Sequence, residues 1–301
     1  MINDVVYSEE NLGTVTSAVN TPGLQPHGGF LSPDEMAIES ISKEEDYEKK
    51  NSILNNLGNI SSTSLGLVFD YLFRLEYYLD RGKPFMDAAN NAFGIAYKGA
   101  MLSGRYYDLN ELFEKLKTYY ERRDKNFRNI LYTSCKIVNY DTIIRCGIFN
   151  SFFRPPTMTT ADAELMNRML HATKEYLKNK NELKFGMEFL AKDFKRIMRS
   201  DCDLIADDSL IDFKCLSKKI TSKHTLQLIM YYILGIYEEP EIFRNIKYLK
   251  IINPKLGLVY SYEISKIDYL KLSLIEEEIM GGTRDLFQSF PFDNNKKIPS
   301  E

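Results

Sequence analysis

The sequence predicts an α+β protein, with a helical N-terminal region followed by a mixed sheet flanked by helices. Three observations carry this. Apolar residues recur at helical spacing in the first half, as in Leu65, Val68, Phe69, Leu72 and Phe73. Two short apolar runs, Asp203 to Ala206 and Ser209 to Cys215, stand either side of Asp207 and Asp208 and read as a hairpin. Two further runs, Ile246 to Ile252 and Leu258 to Ile264, flank Asn253-Pro254-Lys255-Leu256-Gly257 and read as a second hairpin that extends the sheet.

At 301 residues and 44% apolar composition, the chain has room for one large domain or two small ones. A net charge of -3 argues against holding nucleic acid by bulk electrostatics but leaves room for a local basic surface. Cys135, Cys146, Cys202 and Cys215 show no Cys-x-x-Cys spacing, and the histidines are His27, His171 and His224, so zinc and iron–sulfur sites are not expected. Buried thiols are the expected alternative. No apolar run reaches the length of a membrane span and no signal-peptide pattern opens the sequence, so the expected location is the cytoplasm, with no membrane partner.

In chain order, residues 1–31 are rich in Gly, Ser, Asn, Thr and Pro without periodicity and read as a flexible arm. The helical region then spans 32–153. Ser32-Pro33-Asp34-Glu35 combines an N-cap, a proline at the first helical position and a capping-box glutamate, predicting an exposed helix that runs to about Asn56. Further helices are predicted over 62–80, 84–102, 109–123 and 127–148. On the helix over 109–123, Lys115, Lys117, Arg122 and Arg123, with Lys125 and Arg128 beyond, could track a phosphate backbone; interleaved Glu111, Glu114 and Glu121 favour a solvated face.

Arg154-Pro155-Pro156 breaks the helical pattern and places a boundary there. A linking helix over 160–179 leads to a strand over 184–190 and then the first hairpin. A nearly all-round apolar helix begins near Ser222, the second hairpin follows, and a helix over 266–280 stops at Gly281-Gly282. The domain of strands spans 154–292, and the polar tail 293–301 is expected to be disordered.

The chemistry concentrates in the first hairpin. With a two-residue turn, Ala206 faces Ser209, Leu204 faces Ile211 and Asp203 faces Asp212. Leu204, Ile211, Phe213 and Cys215 then share a core face, while Asp203, Asp212 and Lys214 share the other. Opposed carboxylates about 5 Å apart repel one another unless solvent screens them or a divalent cation binds between them. Mg²⁺ suits such a pair, because it is held by one or two carboxylates plus waters and substrate phosphates. The competing reading is an amphipathic hairpin with a solvated charged face. On the helix that follows, Gln227 and Tyr231 are four apart and share a face, with apolar residues covering the remainder.

An Asp-Leu-Ile strand, an Asp-x-Lys strand and a Gln-x-x-x-Tyr helix in this order resemble the PD-(D/E)XK nuclease superfamily, in its RecB-like branch. The resemblance covers roughly the second half of the chain. It implies a restriction-endonuclease-like core and metal-dependent phosphodiester hydrolysis with Mg²⁺ or Mn²⁺. By position, Asp203 and Asp212 would bind the metal, Lys214 would help activate the attacking water, and Gln227 and Tyr231 would contact substrate. Relatives carry a Gly followed four residues later by a metal-contacting His on an early helix; here Gly66 is followed by Asp70, a candidate ligand that departs from the pattern. The alternative for Asp70 is an ordinary surface ion pair with Arg74. Glu188, upstream of the hairpin, is a further candidate ligand.

Lys192, Lys195, Arg196 and Arg199 precede the hairpin and Lys218, Lys219 and Lys223 follow it, as holding a phosphodiester backbone beside an acidic site requires. The expected substrate is DNA, with RNA as an alternative. A catalytically inactive nucleic-acid-binding module on the same scaffold is a competing expectation.

Overall fold

The computed structural model describes residues 13–21, 23–25, 29–146 and 154–282. Its centre is a six-stranded mixed sheet formed by β1 (Ala37–Ser40), β2 (Leu183–Phe189), β3 (Ser200–Ala206), β4 (Ser209–Phe213), β5 (Tyr248–Asn253) and β6 (Leu258–Glu263), in the order β1-β6-β5-β4-β3-β2. Within this sheet β4 and β5 run parallel, and the other neighbours are antiparallel. The helices are α1 (Val15–Val19), α2 (Tyr47–Leu57), α3 (Ser62–Asp80), α4 (Phe85–Ala92), α5 (Gly94–Leu102), α6 (Tyr106–Tyr120), α7 (Arg123–Val138), α8 (Asp141–Cys146), α9 (Thr160–Leu177), α10 (Ser222–Glu238), α11 (Pro240–Phe243) and α12 (Tyr269–Leu274). No helix among the described residues is long and apolar enough to cross a membrane.

Two apolar cores sandwich the sheet. The first joins α3, α4, α6, α7 and α9 to Leu204, Ala206, Ile211, Phe213 and Cys215. Phe213 meets Phe69 and Phe73 of α3 edge-on, with ring centroids 5.4 and 5.5 Å apart. The second joins α10 to Cys202, Ile205, Leu210 and Ile251, with Val15 and Val19 of α1 and residues around α12 packed in. Of the 17 residues of α10, the run from Thr225 to Ile236 is buried without interruption, as an all-round apolar helix requires.

The two hairpins form as expected, with Leu204 opposite Ile211 and Ala206 opposite Ser209. Several helical expectations are corrected. The capping box at Ser32 forms, but it closes only a single 3-10 turn before the chain enters β1, which pairs with β6. A cap satisfies the first turn's donors and nothing beyond, and no apolar stripe follows to be buried, so the ladder with β6 prevails. The helix proper begins at Tyr47.

The helix expected over 84–102 breaks at Phe93, which leaves helical geometry to stack on Tyr71 at 4.9 Å, next to Gly94. That over 127–148 breaks between α7 and α8, and that over 266–280 is α12 followed by a π-helical stretch, Ile275–Met280, ended by Gly281 at φ 69°. Within the stretch read as an arm, Val15 is fully buried and α1 lies on α10. The expected tail, 293–301, lies outside the described residues.

Candidate active site

Beyond Leu204–Ile211, the register of β3 and β4 does not continue to an Asp203–Asp212 ladder pair. β4 goes on pairing with β5 through Phe213, and the Lys214 N–H donates to the Ile252 carbonyl at 2.9 Å. The Phe213 N–H points back toward β3 and donates to Asp203 Oδ2 at 2.8 Å. A carboxylate thus stands in for a strand carbonyl where the β3–β4 ladder ends, away from its turn.

The opposite strand bends at the same level. Gly186 of β2, which the index sum of the β2–β3 ladder places opposite Asp203, adopts φ 59°. Phe185 and Leu204 pack with the first core, while Met187 and Cys202, two positions along, pack with the second. A Cβ at residue 186 would lie 2.8 Å from the Arg74 guanidinium, so this glycine makes room for an arginine delivered by α3.

Asp212 is 1% exposed, which overturns the competing reading of a solvated charged face; α10 packs against β4. Lys214 Nζ donates to Asp212 Oδ1 at 2.9 Å and lies 2.7 Å from Oδ2, off the direction of a hydrogen bond, so Oδ2 is buried without one. Burial pushes the Asp212 carboxyl up to about 7, against the pull of Lys214 and with the push of Asp203 and Asp70. Burial disfavours the Lys214 ammonium, but Asp212 and Asp203 outweigh it and hold its pKa above the usual lysine value. Asp203 itself has no ion pair among the described residues; the Phe213 N–H is its hydrogen-bond partner.

Asp70 pairs with Arg74 as its i,i+4 spacing allows, but the pair is not on the surface. Arg74 Nε reaches Oδ1 at 2.9 Å and NH2 reaches Oδ2 at 2.7 Å, with side-chain exposures of 8% and 16% for Arg74 and Asp70. Burial pushes Asp70 up to about 7, opposed by Arg74 and reinforced by Asp203 and Asp201. Arg74 stays charged, held above the usual range by Asp70 and Asp203 against its own burial. Asp70, Asp203 and Asp212 therefore share Arg74 and Lys214, three carboxyl groups with two cations, and Asp70 and Asp212 are pushed toward their protonated forms.

Glu188 is drawn off from this cluster. Lys98 Nζ holds its Oε1 and Arg199 NH2 its Oε2, each at 2.7 Å. Gln227 and Tyr231 meet as their spacing predicts, with Gln227 Nε2 donating to the Tyr231 hydroxyl at 2.7 Å. Burial first, then Asp212 and Asp203, raise the Tyr231 phenol well above its ordinary pKa, so the ring faces the acids as a neutral hydroxyl. Gln227 Nε2 also reaches Thr16 Oγ1 of α1 at 3.1 Å, so the arm covers this pair. At the start of α10, burial and then Lys214 push His224 down to about 4.

Cys135, Cys202 and Cys215 are buried free thiols, as expected. Lys192, Lys195, Lys218, Lys219 and Lys223 are exposed, and no ion pair among the described residues engages them. On the helix over 106–120, Lys115 pairs with Glu111 at 2.6 Å, which fits a solvated mixed-charge face.

Among the described residues, no group of three or more His, Cys, Asp or Glu side chains is gathered closely enough to hold a metal unaided. Asp203 and Asp212, crowded together beside Lys214, match in donor type the sparser Mg²⁺ pattern of one or two carboxylates completed by waters and phosphate oxygens. Sequence reasoning named Arg74 as a partner of Asp70 but placed the pair on the surface, and it missed Thr16 and His224. The i,i+4 spacing gave the pairing; nothing local in the sequence marks Thr16 or His224. No family model, curated protein or solved structure matches the chain.

Proposed function

We propose that the protein is a metal-dependent nuclease that hydrolyses phosphodiester bonds in DNA, a member of the PD-(D/E)XK superfamily in its RecB-like branch, with a restriction-endonuclease-like core. The observation that carries this reading is the buried carboxyl of Asp212, crowded by Asp203 and held by the Lys214 ammonium, which lies 2.9 Å from Oδ1 and 2.7 Å from Oδ2. Such crowding raises the free energy of the carboxylates and favours a bound cation.

Asp203 and Asp212 would hold Mg²⁺ or Mn²⁺. Either ion supplies Lewis-acid stabilisation of charge on the phosphate and a lowered pKa for a water. Lys214 orients the attacking water and offsets charge that develops on the phosphate. Gln227 and Tyr231, within the buried run of α10, would position the strand. The exposed lysines at 192, 195, 218, 219 and 223 hold the backbone on both sides, at the end of the hairpin away from its turn.

The test is cleavage of linear duplex, circular duplex and single-stranded DNA with Mg²⁺ or Mn²⁺ against chelator, for wild type and Lys214→Ala. Metal-dependent cleavage that disappears in the variant is expected, and cutting of circles marks endonucleolytic action. A folded wild type that cuts neither DNA nor matched RNA overturns the catalytic reading. The cation pairing of Asp70 and Glu188 favours a second reading, an inactive nucleic-acid-binding module; that module would bind DNA with no divalent requirement.

A further inference from the structure

The Asp70–Arg74 pair is built into the site more firmly than a helix-surface ion pair. Arg74 Nε donates to Asp70 Oδ1 at 2.9 Å and its Nη2 lies 2.7 Å from Oδ2. Arg74 is itself wedged between Phe185, with its guanidinium carbon 5.8 Å from the ring centroid, and Tyr71, at 6.0 Å. Beneath it, Gly186 leaves room that any Cβ would fill, at a backbone φ of 59°. Across the ladder from Gly186 stands Asp203, whose charge acts on both members of the pair. The fold thus delivers a permanently charged, planar cation to the flank of Asp203, on the side away from Lys214.

Resting on the nuclease reading above, we propose that Arg74 takes the place of a second metal ion on the Asp203 flank of the site, so that the protein takes one divalent cation rather than two. Asp70 is then a positioning residue that holds the guanidinium, not a metal ligand. A phosphodiester bound at this end of the hairpin would meet the cation between Asp203 and Asp212 on one side and Arg74 on the other. The two charges together play the part that a pair of metal ions plays in two-metal sites.

The test counts Mn²⁺ ions by isothermal titration and by the Mn²⁺ electron paramagnetic resonance spectrum, which distinguishes an isolated ion from an exchange-coupled pair. Wild type is expected to bind one isolated ion. Asp70→Asn, which keeps the guanidinium, is expected to bind one as well. Arg74→Gln frees both Asp70 oxygens beside Asp203 and is expected to gain a second ion and a coupled spectrum, while Arg74→Gln/Asp70→Asn returns to one. A purely structural ion pair would leave the count at one in every variant and overturns the inference. Two ions in wild type overturn it too, and this measurement stands even if Arg74→Gln fails to fold. No Mn²⁺ bound by wild type overturns the metal reading itself, and the inference with it; any wild-type count above zero leaves that reading intact.

Discussion

Asp203 Oδ2 accepts the backbone N–H of Phe213 at 2.8 Å, occupying the position of a strand carbonyl in the ladder. The hydrogen bond gives this carboxylate two separable roles, as a ladder acceptor and as a charge. Asparagine keeps the first and removes the second. Asp203→Asn should hold stability within about 1 kcal/mol of wild type while losing any thermal shift on adding Mn²⁺, whereas Asp203→Ala orphans the Phe213 N–H and should cost about 1–3 kcal/mol. Thermal melts of the three proteins with and without Mn²⁺ check this. Equal Mn²⁺ shifts in all three would sink the assignment.

Asp70 and Asp212 carry a linkage of definite sign. Both are raised from 3.8 to about 7 by burial, so between these values the folded state holds protons that the unfolded chain releases. Metal-free stability should therefore fall as pH rises through this window and level off above it. Asp212→Asn should flatten the slope. Because a cation competes with those protons, the Mn²⁺ shift in wild type should be larger at pH 8 than at pH 6. Melts across pH with and without the ion measure both effects.

Lys214→Met removes the ammonium bonded to a carboxylate that is 1% exposed. Breaking such a pair costs about 3–5 kcal/mol when the remaining charge stays ionised. Asp212 can escape by taking a proton, so the destabilisation should be clearly smaller at pH 5 than at pH 8, and Lys214→Met/Asp212→Asn should recover much of it. Denaturant unfolding of both variants at the two pH values decides this.

Glu188→Gln should change little, since its partners Lys98 and Arg199 are 54% and 47% exposed in their side chains. Exposed pairs of this kind contribute about 0–1 kcal/mol. Mn²⁺ affinity should equal that of wild type. A marked drop in titration calorimetry would return Glu188 to the metal site.

Changing Lys218, Lys219 and Lys223 to Ser should weaken DNA binding without sequence preference. The slope of log affinity against log salt should become shallower by about 0.9 for each phosphate that is no longer neutralised. Binding measured over a salt series, in a divalent-free buffer, reads this directly.

The elements that could be read in the sequence are those whose local pattern and tertiary surroundings agree. α3 and α10 carry unbroken apolar periodicity, and the turn at Asp207-Asp208 sets the register of Leu204 and Ile211. Patterns lasting a single turn were not decisive: the capping box at Ser32 marks a real turn, yet β6 recruits the chain that follows into the sheet. The candidate site was legible to the extent that it depends on spacing, as with Gln227 and Tyr231. It was not legible where it depends on which strand bends. Nothing local in Gly186 announces that it makes room for Arg74, and nothing in Thr16 announces a partner 211 positions away.

That last separation bears on how the molecule is made. The Thr16–Gln227 hydrogen bond and the pairing of β1 with β6 both join early residues to late ones, so a ribosome must release most of the chain before either can close. Pairings this remote in sequence form slowly, because loop closure precedes any gain from them. Thr16 and β1 therefore wait for Gln227 and β6 before these contacts close, and the cover over Gln227 and Tyr231 forms late in folding.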